Sequence, residues 1–156
     1  MRKLASFSYL KSNRATKARV KISPDAKFLA GKLLGAESDR RREFYADAIV
    51  NDLCESAGVP ACHVSIQNRP QAHRKNSRGV LRIKTLGHYT PRSATIVVFN
   101  KTAIQHKVVA GKTFLRCLIH EFIHHYDYHK LHINSLHTAG FYQRVKGVYD
   151  ALTHSG

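Results

Sequence analysis

The chain has 156 residues, enough for one domain with a single substantial core, and no run in it approaches the apolar length that crosses a membrane. Twenty-six Lys and Arg against ten Asp and Glu give a net charge of +16. That self-repulsion is relieved by a polyanion, so nucleic acid is the expected neighbour; a membrane surface is not, because no basic amphipathic helix with an aromatic face is present.

Residues 1–22 are basic and polar, without the apolar stretch of a secretory signal, and are expected to form a flexible or loosely docked arm. A cytoplasmic protein with nucleoid or chromatin association is the expectation; the acid-free, Arg- and Ser-containing start also fits an organelle transit peptide. The domain proper is expected over 23–156. Ser23-Pro24-Asp25 reads as a helix start, with Ser23 as N-cap and Pro24 in the first turn, and the helix should run to about Leu34 before Gly35. Ser38 or Asp39 opens a longer helix with Phe44, Tyr45, Ile49, Leu53 and Cys54 at helical spacing, ended by Gly58-Val59-Pro60. Cys54, Cys62 and Cys117 are widely spaced, which argues against a disulfide framework or a zinc ribbon and for buried free thiols.

Cys62, Val64 and Ile66 alternate with polar residues as in a half-buried strand. Asn68 to Gly79 reads as a long basic loop, in which Arg69, Arg74, Lys75 and Arg78 are the candidate nucleic-acid contacts. Val80 to Ile83 is a second strand, Leu86 to Pro91 a turn, and Ala94 to Phe99 a third strand able to border a cleft and bind an extended backbone. Between Glu55 and Glu121 there are eleven Lys and Arg and no acid, which puts the positive charge beside this sheet. Gly111 and Thr113 precede a helix ending near Lys130, and after a connector a last helix carries Tyr142, Val145, Val148, Tyr149 and Leu152, with Thr138 as its N-cap. Helices, three strands and two more helices make an α+β fold.

The chemistry lies in Phe114–Tyr126, FLRCLIHEFIHHY. Its apolar residues form a wide stripe at helical period, and His120, Glu121 and His124 spell H-E-x-x-H at its edge, two imidazoles one turn apart on one face. Such a pair can share a metal ion, with Glu121 beside the open position to take a proton from a metal-bound water. With eleven His in the chain, chance would supply only about 0.02 such matches.

A catalytic zinc takes a third protein ligand. A metzincin spacing would need His at position 130 and Gly at 127, where Lys130 and Asp127 stand, and no Glu follows Glu121 to serve as a gluzincin ligand. His129 and His132 sit too close to the same helix end, and His125 points about 100° off the metal face. His137 is left, just before the last helix. Cys117 is an implausible deformylase-type ligand because it precedes His120 on the same helix, and Tyr126-Asp127-Tyr128-His129 echoes the three-histidine rRNA-processing metalloproteins only loosely. Asp127 is a candidate hydrogen-bond partner of a ligand imidazole; Tyr126 and Tyr142 are candidate oxyanion donors, set against ordinary core roles.

His120-Glu121-Phe122-Ile123-His124 followed by His137-Thr138-Ala139-Gly140-Phe141 resembles the SprT-like (Spartan-type) zinc metallopeptidases, over about Ile96 to Leu152. In that family H-E-x-x-H is followed, after a spacer of similar length, by H-G-x-x-F opening the next helix. Here Gly140 stands three residues after His137, and no Cys-rich ribbon follows. The resemblance implies a zincin-like domain, Zn2+ at His120, His124 and His137, Glu121 as general base, and peptide hydrolysis on DNA-associated proteins. The reading of another class is a basic nucleic-acid-binding protein whose zinc site is structural or inactive.

Overall fold

The apolar stripe of the H-E-x-x-H segment demands burial on several sides at once, and the fold supplies it. In the computed structural model, which describes residues 6–70, 72–75, 81–102 and 105–154, this segment is helix α4, Gly111–Tyr126. (The other elements are α1 Phe7–Arg14, α2 Pro24–Leu34, α3 Asp39–Ala57, β1 His63–Pro70, β2 Ala72–Lys75, β3 Leu81–Thr85, β4 Gly87–Thr90, β5 Thr95–Lys101 and α5 Ala139–Thr153.) Helix α4 packs against β4, β5, α2, α3 and α5. Phe114, Leu115, Leu118, Ile119, Phe122 and Ile123 are fully buried in that packing.

The architecture is α+β. Strand β5 is the middle of a three-stranded sheet, parallel to β1 and antiparallel to β4. Val64 and Ile66 pair with Ile96 and Val98, so the alternation in both strands puts these four residues into one core. Strands β2 and β3 form a separate antiparallel hairpin.

Local signals placed the helices well. Ser23, Ser38 and Thr138 cap α2, α3 and α5, each accepting a hydrogen bond from a first-turn amide, and Gly58 ends α3. The thiols of Cys54, Cys62 and Cys117 are free and buried, as expected.

The strands differ from expectation. The segment read as the basic loop 68–79 continues β1 to Pro70 and contributes β2, so Arg69 is on a strand and Arg74 and Lys75 pair with Ile83 and Leu81; Arg78 lies outside the described residues. The second strand falls at Leu81–Thr85 but belongs to the hairpin, and the stretch read as a turn, Leu86 to Pro91, holds β4. Consequently β5 is central, and β4, like β1, is an edge strand. Sequence could not show this, because strand order is set by pairings between distant residues, and β4 is only four residues long.

The described part of the N-terminal segment, residues 6–22, packs on the domain. Ser6 caps α1, which is docked by its last turn, and in the following stretch Ala18, Val20 and Ile22 pack on the core while Lys17, Arg19 and Lys21 face solvent. The alternation was present in the sequence beneath the charges. Lys21 is tied on both sides of its backbone to the Ser56 hydroxyl, at 2.8 and 2.7 Å.

Two glycines permit close approach. A Cβ on Gly87 would lie 2.4 Å from the Val97 carbonyl oxygen and 3.1 Å from Cys117 Sγ, so β4 can lie this close to β5 and α4 only with glycine there. A Cβ on Gly140 would meet the Ser12 and Asn13 carbonyl oxygens at 2.3 and 2.6 Å, where the end of α1 crosses the start of α5.

Gly147, by contrast, is exposed on α5 with nothing within 4 Å of an added Cβ. Gly147→Ala is expected to raise stability by about 0.5–1 kcal/mol through helix propensity. Gly140→Ala is expected to lower it by about 1–3 kcal/mol, because backbone oxygens must yield. Opposite shifts of the urea midpoint check both; an unshifted Gly140→Ala midpoint would contradict the docking of α1.

Candidate metal centre

At the C-terminal half of α4 the chain needs both a buried stripe and an open face. His120 and His124, one turn apart, project from the edge of the stripe, and the chain leaves α4 through a π-helical turn, Asp127–Leu131, instead of continuing as α-helix to Lys130. His132 closes that turn in the left-handed region, φ 54°, with its amide on the Asp127 carbonyl. The chain then doubles back through a connector to His137, immediately before the Thr138 cap of α5.

The result is a cluster of three imidazoles. His137 Nε2 lies 3.1 Å from His120 Nε2 and 3.0 Å from His124 Nε2. One ring nitrogen has at most one proton and cannot donate to both neighbours. Nitrogens bound to one tetrahedral zinc at about 2.0–2.1 Å stand about 3.3 Å apart, so the spacing fits three ligands of one ion. Among the described residues no fourth His, Cys, Asp or Glu joins them. Phe141, fully buried, backs all three rings with centroid separations of 4.7 to 5.1 Å.

Burial sets the protonation of the site. It lowers His120 to about 4 and His124 to about 3, with the neighbouring imidazoles adding to the effect, so both are neutral near neutral pH, the form able to ligate a metal. It raises Glu121 to about 7, the range of a general base; a cation at the histidines would draw that value down. Glu121 and the three histidines line a cleft of about 870 Å³ between α4 and β4. Leu86, Gly87, His88 and Tyr89 form one wall, and Lys112 and Arg116 continue the His120–His124 row at intervals of four residues toward the start of α4. Burial keeps Cys117, beside Glu121, firmly as the thiol.

The remaining candidates sort by contact. His125 is a core histidine, fully buried, with one ring nitrogen 2.7 Å from the Pro60 carbonyl and the other 2.6 Å from Tyr89 Oη. His129 packs against His125 with the rings tilted, centroids 4.5 Å apart, and with His132 it borders a different, shallow pocket beside Ser8. Tyr126 is buried and does not line the cleft, its hydroxyl accepting from the Arg19 amide, so it is not placed as an oxyanion donor. Tyr142 is half exposed, with its ring 6.1 Å from His120 and 5.9 Å from His137. Asp127 does not touch a ligand ring: Ser135 stands between, its Oγ 2.7 Å from His124 Nδ1 and 2.8 Å from Asp127 Oδ2. Of the candidate nucleic-acid contacts, Arg69 is exposed with its guanidinium 5.1 Å above the Phe99 ring.

Sequence reasoning missed three things here. Ser135 carried no signal, and β4 was hidden in an apparent turn. Arg144 did leave one: a charge on the apolar face of α5, between Phe141 and Val145, where it pairs fully buried with Asp127 at 2.8 Å. Searches of protein-family models, curated proteins and solved structures return no match to this chain.

His137→Ala is expected to reduce divalent-metal affinity sharply, since it leaves two ligands, while His132→Ala should not change it. Metal retained per chain after dialysis against a weak chelator reads the difference. Equal retention by the wild type and His137→Ala would remove His137 from the site.

Proposed function

We propose that this chain is a zinc-dependent metallopeptidase of the zincin type, of the kind its resemblance to the SprT-like family implies. The observation that carries the reading is the convergence of His120, His124 and His137 next to Glu121 at the floor of an open cleft. Zinc held by the three histidines would polarise a peptide carbonyl and acidify water. Glu121, poised by its burial, accepts the proton of the attacking water and passes it to the departing amine. Tyr142, half exposed beside His120 and His137, is the candidate donor to the developing oxyanion. Strand β4 has one edge paired to β5 and the other toward the cleft, so an extended peptide can add to it by backbone hydrogen bonds. Lys112 and Arg116 at one end of the cleft suit an acidic substrate side chain.

The competing reading is a structural or inactive zinc site in a basic nucleic-acid-binding protein. A structural site closes its fourth position with a protein ligand. His129 and His132, the candidates for that role, lie in the other pocket. The three-ligand cluster facing a cleft therefore favours catalysis.

Glu121→Gln is expected to keep the metal content and to lower hydrolysis of an unfolded protein substrate at least a hundredfold, since the amide cannot take the proton. Turnover near wild type in Glu121→Gln would sink the mechanism.

The charge supports action on proteins associated with DNA. Binding to duplex DNA is expected to fall by orders of magnitude between about 50 and 200 mM salt and to be nearly indifferent to base sequence. Neutralising Arg74, Lys75 and Arg78 together should flatten that dependence and leave metal content unchanged. Salt-independent affinity in a filter-binding or anisotropy titration would exclude this partner.

A further inference from the structure

The two side chains that support the histidine cluster from behind, Ser135 and Thr138, lead to the same guanidinium. Asp127 Oδ1 accepts from Arg144 Nε at 3.1 Å, and Oδ2 accepts from Arg144 Nη2 and from Ser135 Oγ, each at 2.8 Å. A carboxylate clasped by Arg has no proton to give, so the Ser135 hydroxyl proton goes to Asp127 and an oxygen lone pair faces His124 Nδ1. His124 must then carry its proton on Nδ1. Its Nε2 lone pair is left for the point shared with His120 and His137.

Arg144 also reaches the N-terminal helix. Its Nη1 donates to the carbonyls of Ser12, at 2.6 Å, and Ala15, and its Nη2 to Ser12 Oγ at 3.1 Å. Ser12 Oγ shares a 2.8 Å hydrogen bond with Thr138 Oγ1, the cap next to His137. Upstream on α1, Ser8 Oγ accepts from the Asn134 amide at 3.2 Å and Lys11 Nζ donates to the Leu131 carbonyl. Between Leu131 and Thr138 the connector buries fully only Ile133 and Thr138. It has little apolar anchorage of its own, and α1 supplies contacts along its length.

We propose that Ser135 is the positioning residue that fixes His124 for metal binding, and that helix α1, through Arg144, Asp127 and its bonds to the connector, holds Ser135 in place. The N-terminal helix is in this sense a component of the metal centre. The proposal rests on the metal-binding reading and is independent of whether peptides are cleaved.

The test is chelator competition for Co2+ and Zn2+ on the full chain, with histidine tautomers read by 15N NMR. Ser135→Ala is expected to weaken metal affinity about 10–100-fold while the metal-free chain stays folded, and to lose the fixed Nδ1–H tautomer of His124. Ser135→Thr, which keeps the hydroxyl, should restore most of the affinity. Ser8→Ala combined with Lys11→Met should weaken affinity in the same direction but less. Wild-type affinity in Ser135→Ala, or Ser135→Thr as weak as Ser135→Ala, overturns the role of Ser135; wild-type affinity in the α1 double variant overturns the role of the helix. A wild-type chain that takes up neither ion overturns the metal centre and this proposal together, whereas metal uptake without peptide hydrolysis leaves this proposal standing.

Discussion

The Asp127–Arg144 ion pair is the interaction on which most of the arrangement depends. Both side chains are fully buried, so neither charge can be left alone, and removing one partner of such a pair costs about 3–5 kcal/mol. The remaining guanidinium donors are met by the backbone and hydroxyl of α1, and the carboxylate is completed by Ser135. Satisfying one buried pair thus joins four pieces of chain: the N-terminal helix, the end of α4, the connector and α5. Those pieces carry or flank all three histidines.

A second constraint is the double duty of α4. Its apolar stripe buries against three helices and the sheet on one side, and on the other the row Lys112, Arg116, His120 and His124 opens on the cleft. Glu121 lies at the boundary, 7% exposed, and that placement raises its pKa. A carboxylate placed this way is costly for folding without a compensating charge nearby. A cation at the three histidines would be such a charge and would link the electrostatics of Glu121 to the same centre. The buried Arg42 is managed differently: its donors go to the Ala36 carbonyl and Asn100 Oδ1, and its face lies 4.9 Å over Phe114, fixing the start of α3 against the end of β5 and α4.

The sequence by itself determined what short-range chemistry determines. Helices α2, α3 and α5 follow from caps and apolar period, and His120, Glu121 and His124 from a spacing that one turn of helix converts into a shared face. His137 was reached by elimination and by resemblance, and the structure brings it to within hydrogen-bond distance of both partners. What tertiary structure alone decided is everything that depends on pairings across the chain. Strand β5 is central and β4 is an edge strand because register and order are set between residues far apart, so the wall of the cleft could not be read locally. The segment before Ser23 looked like a charged arm because composition weighs every residue equally. Its placement rests on a few side chains, Ser12, Ala18, Val20 and Ile22, that meet partners more than a hundred residues away or the core itself. Ser135 has no local signature for the same reason: its role exists only because a π-helical turn and a buried ion pair carry its hydroxyl to His124.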